Sequence, residues 1–536
     1  MGTGSDTAAA GLRRGGGVQV PARLRRLGWA LAAAALVVLT WAVARQAWVS
    51  DDAFITFRQI DNWQQGHGLV WNGGYRVQAY THPLWMLLLA GLSLMTRELF
   101  FTSMAAGLGL TVLTLALCGR SVPRPYLLAG VTLALSASSS FVDFATSGLE
   151  NPLTHLLLWA SWAVFLRREV SAPKLALTVA LGSLLYLSRP DAILLAIPAS
   201  LAFGASCLRA LGWRQSLRAV AIGALPFLLW EAFSVFYYAS LVPNTAYAKL
   251  GAGVPRAQVL EAGARYLKSG VTRDPVAGAL LAAGALASLV GRDRRSLLWM
   301  AGAALYLGYV GWIGGDFMQG RFFAGPIFVS VLAILGAGAR FRGPAWPALV
   351  GGVVLAALSY GHGNSPWIEE APEVGPRAEL VDEYLVADER AHYREWTSIQ
   401  AVRAGRGPAD HVFAIAGRRA RENHLPLVAD WTVGLRGYYA GPDVYVLDEL
   451  ALADPLLARL PAVELTGPFK AGHLPRAIPE GYRPTLVSGE NRLADPAMRA
   501  YWAHLHEALT GELWSGSRVA EALAIAFGRH RPPGQP

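Results

Sequence analysis

Residues Gly28–Trp48 read GWALAAAALVVLTWAVARQAW, and Val49–Gly66, immediately after, read VSDDAFITFRQIDNWQQG. The first run matches the roughly 20 apolar residues needed to cross a bilayer. The second begins with two adjacent carboxylates, Asp51 and Asp52, and continues as an aromatic-rich amphipathic run. An apolar segment that delivers an acidic pair into such a loop decides the reading of the chain. It is a bundle of membrane helices holding a polar site at one face.

Composition agrees. Of 536 residues, 53% are apolar and 16% charged, against about 25% charged in an average globular protein. Mean hydropathy is +0.33. The net charge of +10 would suggest nucleic acid in a soluble protein. Here the arginines sit in short links between apolar runs, as in cytoplasmic loops, so no nucleic-acid partner is expected. Cys118 and Cys207 are far apart, within apolar runs, and form neither a disulfide framework nor a metal-binding pattern. Arg13, Arg14, Arg23, Arg25 and Arg26 precede the first run. A signal peptide cleaved near Ala42–Ala44 is one reading; an uncleaved signal-anchor is preferred, because cleavage would leave the acids near a loose end.

Apolar segments fall near 28–48, 83–95, 100–118, 126–141, 152–166, 174–188, 191–207, 219–238, 276–291, 297–313, 322–338 and 345–360. The links bearing Arg120/Arg124, Arg167/Arg168/Lys174, Arg209/Arg214/Arg218, Arg292/Arg294/Arg295 and Arg340/Arg342 all become cytoplasmic if 83–95 does not cross. That short segment is read as a re-entrant or interfacial helix, which leaves about eleven spans. The links on the opposite face then carry the unusual polar pieces: the acidic pair, SGLEN (147–151), SRPD (188–191), PNTAYAK (243–249) and GGDFMQGR (314–321). The expected organisation is a cytoplasmic tail at 1–27, a transmembrane domain at 28–360 whose first outer loop is 49–82, and an extracytoplasmic domain at 361–536. That last part is charged and Pro-rich. Strands are expected in HVFAIAG, LPLVAD and DVYVLDEL and helices around 380–404 and 496–526, giving an α/β or α+β domain.

If 51–65 is helical, Asp51, Ile55 and Arg58 share one face, which makes Arg58 a candidate contact to the donor phosphate or substrate, and Phe54 and Phe57 can dip into the membrane interface. Adjacent acids raise one another's pKa and suit general-base chemistry; a helix N-terminal cap is the plain alternative. The glycines of GHG allow a turn that places His67 near the acids, or simply a surface turn. His82 opens the 83–95 helix and can donate to a phosphate, or can be an ordinary interfacial histidine. Trp71, Tyr80 and Trp85 suit an aromatic belt or sugar platforms. Arg189 and Asp191 flank Pro190, and an intramembrane ion pair points to function; an exposed turn is the other reading. Glu150 and Asn151 cap a span or line a polar cavity. Asn244 and Lys249 follow Pro243, and Lys249 is a candidate phosphate ligand. Asp316 and Arg321 either pair locally or leave Arg321 to clamp phosphate. Singly, each plain reading is at least even. Together, Arg189, Lys249 and Arg321 on one face favour a site for an anionic lipid headgroup. The chain lacks Walker A, G-x-G-x-x-G, H-E-x-x-H and G-x-S-x-G motifs, which argues against ATP-driven transport. His504 and His506, two apart, do not share a helical face and are read as surface residues.

In these motifs the chain resembles the GT-C-fold glycosyltransferases that use polyprenyl-phosphate sugars. More closely, DDAFITFR, GHGLVWN, VQAYTHPLW, SGLEN, PNTAYAK, GGDFMQGRF, GYYAGPDVYVLDELALADPLLARLP and IPEGY resemble the actinobacterial terminal β-(1→2) arabinofuranosyltransferase family. The resemblance spans nearly everything after residue 27. It implies a decaprenyl-phosphoryl-arabinose-like donor, an envelope glycan acceptor and an active site at the outer face of the bacterial cytoplasmic membrane. It also implies Asp51 as base, Asp52 assisting, and Arg321, Lys249 and His82 on the donor phosphate. It fixes no cofactor and leaves a divalent metal open. The rival readings are a transporter or flippase for lipid-linked sugar, which would need polar residues on both faces and symmetric repeats, and a non-catalytic envelope-assembly protein.

Overall fold

The computed structural model describes residues 21–166, 169–250, 253–340, 343, 345–362, 365–368, 380–463 and 470–533. The first 20 residues of the expected cytoplasmic tail (with Arg13 and Arg14), Arg167, Arg168, Arg342, and 369–379 of the expected outer domain lie outside the described residues. Almost every apolar segment is a helix, among them Ala22–Arg45, Pro83–Thr96, Phe100–Ser121, Asn151–Leu166, Ala172–Ser188, Ala324–Arg340 and Trp346–Gly361. The run 191–207 and the link after it form one longer helix, Ile193–Gly223, kinked at Gly212, where φ is 76°. The link 241–275 contains an unexpected amphipathic helix, Arg256–Arg273, which turns through 96° into Pro275–Val290.

Three of the described helices are long and apolar enough to cross a membrane: Ala22–Arg45, Phe100–Ser121 and Pro190–Gly223. The count rises to five if each sharply bent pair is one span. The chain is therefore a multi-pass membrane protein, but length and composition alone do not reach about eleven spans. Several apolar helices run to only 14–17 residues, about 21–26 Å, short of a hydrocarbon core of about 30 Å. Pro83–Thr96, the segment read as not crossing, has 14 residues.

Asp51–Gln64 is a helix, as the pattern implied. Its aromatic face is not laid in the membrane interface. Phe54 and Phe57 are buried, and their rings meet Tyr438 at 5.6 and 6.4 Å. Trp71, Tyr80 and Trp85 are also core residues. The segment beyond 380 is thus packed onto the first loop, and the two halves share apolar clusters. Ile55, Trp71 and Ala79 pack with Val433, Val444 and Val446, and Val77, Ala239 and Ala248 with Leu447 and Trp502.

In the tail, Leu427–Asp430 and Tyr445–Asp448 pair as a two-stranded parallel sheet. Helices occupy Glu389–Thr397, Ile399–Arg403, Pro496–Thr510 and Gly516–Ala526. The expected strand HVFAIAG is instead the start of a helix, Val412–Glu422. Its β-favouring Val, Phe and Ile suggested a strand, but Ala414, Gly417 and Ala420 recur at helical spacing and form the buried face.

Arg58 holds loop and tail together. Its buried guanidinium donates to the carbonyls of Trp71, Gly437 and Val444 and to Asn72 Oδ1, and lies over the Trp71 ring. This corrects the expectation that Arg58 meets the donor phosphate, because its donors are engaged by protein. A lysine has one nitrogen and cannot reach acceptors spread over two segments. Arg58→Lys should therefore lower stability by roughly 1–3 kcal/mol, read as thermal unfolding in detergent; an unchanged Tm would refute the clamp.

Candidate active site

Asp51 and Asp52 open the helix Asp51–Gln64, and a turn of about 100° per residue sends them in different directions. Asp51 is buried against the tail helix Gly434–Ala440. Its Oδ2 accepts from the Gly434 N–H at 3.0 Å and its Oδ1 from the Leu435 N–H at 2.8 Å. The sequence GLRG permits this approach. A Cβ on Gly434 would stand 2.0 Å from the Asp51 carbonyl oxygen, and one on Gly437 would stand 2.5 Å from the Trp71 ring. Burial pushes the Asp51 carboxyl up to about 7, opposed by the two N–H groups and reinforced by Asp52.

Asp52 keeps 29% of its side chain exposed, and its Oδ2 lies 3.3 Å from Arg321 Nη1. Arg321 is the centre of the site. It also lies 3.7 Å from Glu150 and 3.9 Å from Asp316, and its Nε has no hydrogen-bond partner among the described residues. Glu150 in turn meets His82 Nδ1 and Arg189 Nη1, each at 3.1 Å. His82 Nε2 reaches Thr56 Oγ1 at 2.9 Å, and Arg189 continues to Asp191, which accepts from the Tyr306 hydroxyl. Four of the five polar sequence pieces, together with His82, thus converge in one network. Glu150 is held well below the usual carboxylate range: burial would raise it, but Arg321, His82 and Arg189 outweigh burial. Asp52 is raised, chiefly by burial; Arg321 and Lys249 oppose this, while Asp316 and Glu150 add to it.

Both acids border a cleft of about 100 Å³ between loop and tail. Phe317, Glu389, His392, Trp431, Lys470 and His473 also line it. Glu389 was not foreseen. It opens the helix Glu389–Thr397, and its carboxyl is raised well above the ordinary range by burial, then by Asp52 and Asp51. Nothing in the string DERAHYREW separates it from a surface acid. The GGDFMQGR loop is tied to the same tail segment by backbone bonds between Phe317 or Gln319 and Ala387.

Two further expected site residues lie elsewhere. His67 is exposed at the far end of Asp51–Gln64, about 20 Å along the axis from the acids. The GHG turn stays at that end, and it is the chain after it that folds back along the helix, Trp71 meeting Arg58 and Val77 meeting Gln59. Asn244 is buried, donating to the carbonyls of Ala451, Leu452 and Asp454. It fastens a tail loop and does not face the cleft. Lys249 is exposed beside Gly472, at the cleft, and acts on the charge of Asp52. Among the described residues, the three-ligand cluster of His, Cys, Asp or Glu side chains lies away from the cleft, at His504, Glu521 and His530.

Fold and site define a multi-pass membrane protein with a charged cleft between its first loop and its tail. No protein-family model matches the sequence. The chain is 26% identical over 505 residues to the terminal β-(1→2)-arabinofuranosyltransferase of Mycobacterium tuberculosis, covering 77% of this chain and 79% of that one. It is 28% identical over 502 residues to the enzyme of the same name from Corynebacterium glutamicum, covering 78% and 72%. The solved structure of arabinosyltransferase EmbB from Mycobacterium smegmatis aligns with a TM-score of 0.38 at 15% identity, over 60% of this chain and 31% of that chain. The chain is thus a homologue of terminal β-(1→2)-arabinofuranosyltransferases, as its motifs suggested.

The Asp51 contact has a pH signature. The unfolded chain ionises Asp51 near 3.8 and the folded chain near about 7. Between these values the unfolded state holds fewer protons, so this residue's contribution to stability falls as pH rises through that window and then levels. Thermal unfolding from pH 4 to 8 should show that fall in the wild type and a flatter profile in Asp51→Asn. Parallel profiles would exclude the assignment.

Proposed function

We propose that this protein is a glycosyltransferase that moves a sugar, arabinofuranose by homology, from a polyprenyl-phosphate donor to a cell-envelope glycan. The observation that carries the proposal is Asp52 on the wall of the cleft with Arg321 3.3 Å from its carboxylate, and Lys249 close enough to act on Asp52. A base and two cations are the groups that displacement of a lipid phosphate needs. The arabinofuranosyltransferase activity of the relatives supplies the sugar. The site belongs on the outer face of the bacterial cytoplasmic membrane, where a lipid-linked donor already carries its leaving group and no nucleotide is needed.

In this reading the acceptor hydroxyl attacks the anomeric carbon while the bond from that carbon to the phosphate oxygen breaks. The acceptor proton passes to a carboxylate, and the polyprenyl phosphate departs with its charge met by Arg321 and Lys249. Asp52 suits the base role better than Asp51. Both oxygens of Asp51 accept backbone N–H groups, whereas Asp52 is partly exposed and held by Arg321 alone among hydrogen-bond donors in the described residues. A phosphate entering the site would draw Arg321 from Asp52 and free that carboxylate as the donor binds. Glu150, with His82 and Arg189 behind it, keeps Arg321 in place, so those three residues position and do not react. The cleft's tail wall, with Trp431 and Glu389, is the acceptor side.

Purified protein given a polyprenyl-phosphoryl-arabinofuranose donor and an arabinan oligosaccharide should lengthen the oligosaccharide by one residue, read by mass spectrometry. Asp52→Asn should lose at least about 100-fold in rate with little change in Tm, and Arg321→Lys about 100–1,000-fold. Full activity of Asp52→Asn would remove it as the base, and no transfer from any polyprenyl-phospho sugar would sink the proposed reaction.

A further inference from the structure

We propose that His504, Glu521 and His530 form a divalent-metal site, with zinc as the preferred ion, on the tail and separate from the cleft. His504 lies on the helix Pro496–Thr510, Glu521 on Gly516–Ala526, and His530 just beyond it. By sequence His504 would be considered with His506, but the fold separates them. His506 turns toward Tyr75 and Trp502, while His504 meets residues 17 and 26 positions further along.

The spacing fits a coordination shell. Glu521 Oε2 is 3.1 Å from His504 Nδ1 and 3.2 Å from His530 Nε2. All three candidate ligand atoms lie within 4.8 Å of one another. A tetrahedral zinc ion with bonds of about 2.0–2.2 Å sets neighbouring ligand atoms about 3.3–3.5 Å apart, so the carboxylate-to-imidazole edges need only open by a few tenths of an ångström. The two rings stack with centroids 3.8 Å apart at 10°. An ion in the plane of both therefore requires one ring to turn, and rotation about the Cβ–Cγ bond of His530 supplies that.

Chemistry narrows the ion. Two imidazoles and one carboxylate suit zinc and its borderline neighbours, whereas calcium and magnesium take oxygen ligands. Without an ion, both imidazoles crowd onto the same Glu521 oxygen. A metal takes the lone pair at the facing nitrogen of each neutral ring, the ring proton moving to the other nitrogen. The side chains are 41%, 26% and 30% exposed, which leaves an entry path and a fourth position for water. None of the three lines the cleft, so the site acts on stability: it ties the segment after the last helix back to the helix pair. That pair is anchored on the membrane half through Arg518, which donates to the Phe236 and Tyr237 carbonyls.

The test uses the full chain without a polyhistidine tag, purified in detergent and stripped with EDTA. Zinc sulfate is titrated against a chromophoric chelator, with thermal unfolding in parallel. Expected are one zinc per chain, a raised Tm, and affinity weakened at least about tenfold by His504→Ala or His530→Ala, since even groups that only orient a ligand contribute that much. Cobalt(II) should give the visible bands of a four-coordinate site in the wild type and lose them in Glu521→Gln, whose amide keeps the side chain's size. Absence of zinc binding by the wild type, or unchanged binding in both histidine variants, overturns the site. All three side chains are partly exposed, so the variants are expected to fold.

Discussion

The contact between the Asp51 carboxylate and the Gly434 and Leu435 N–H groups is the constraint on which the rest depends. It joins the first residue of the head helix to the first turn of a tail helix more than 380 positions away. A helix N-terminus attracts negative charge and presents unpaired N–H groups, so a buried acid is a natural partner for it. The glycines at 434 and 437 are what allow the two helices to come so close. With that contact made, Arg58 can gather the carbonyls around it and Phe54 and Phe57 can pack on Tyr438. The cleft is the space left beside this joint.

The same contact divides the work of two neighbouring carboxylates. One residue along a helix is about 100° around its axis. If Asp51 points into the tail, Asp52 must point elsewhere, and here that is the cleft and Arg321. Arg321 stands among Asp52, Glu150 and Asp316. Three acids around one guanidinium keep it charged and localised, and a phosphate would have to compete with them. The pairs behind, Glu150 with His82 and Arg189, make that placement rigid.

Composition marks an outer domain from 361, placed over the same face as the acidic pair. In the structure it shares apolar clusters with the first loop and supplies one wall of the cleft. Composition marks where a chain becomes polar, but not what that polar segment packs against. The strand expected at HVFAIAG shows the same gap at smaller scale: β-favouring residues over a short window were outweighed by a helical face that buries Gly417 against the tail helix Gly434–Ala440.

Sequence by itself determined the apolar helices, the helix that begins at the acidic pair, and the grouping of SGLEN, SRPD and GGDFMQGR with that pair. Hydrophobic periodicity and charge placement are local properties, and a bilayer restricts how local elements can be arranged. Sequence also carried the likeness to terminal arabinofuranosyltransferases, because motif order survives where overall identity is low. Tertiary contacts alone set which acid is engaged by backbone N–H groups and which meets Arg321, that Arg58 and Asn244 fasten the fold, that His67 stands apart, and that Glu389 joins the site. Those outcomes depend on contacts between residues tens to hundreds of positions apart, and such contacts leave no periodicity in the chain.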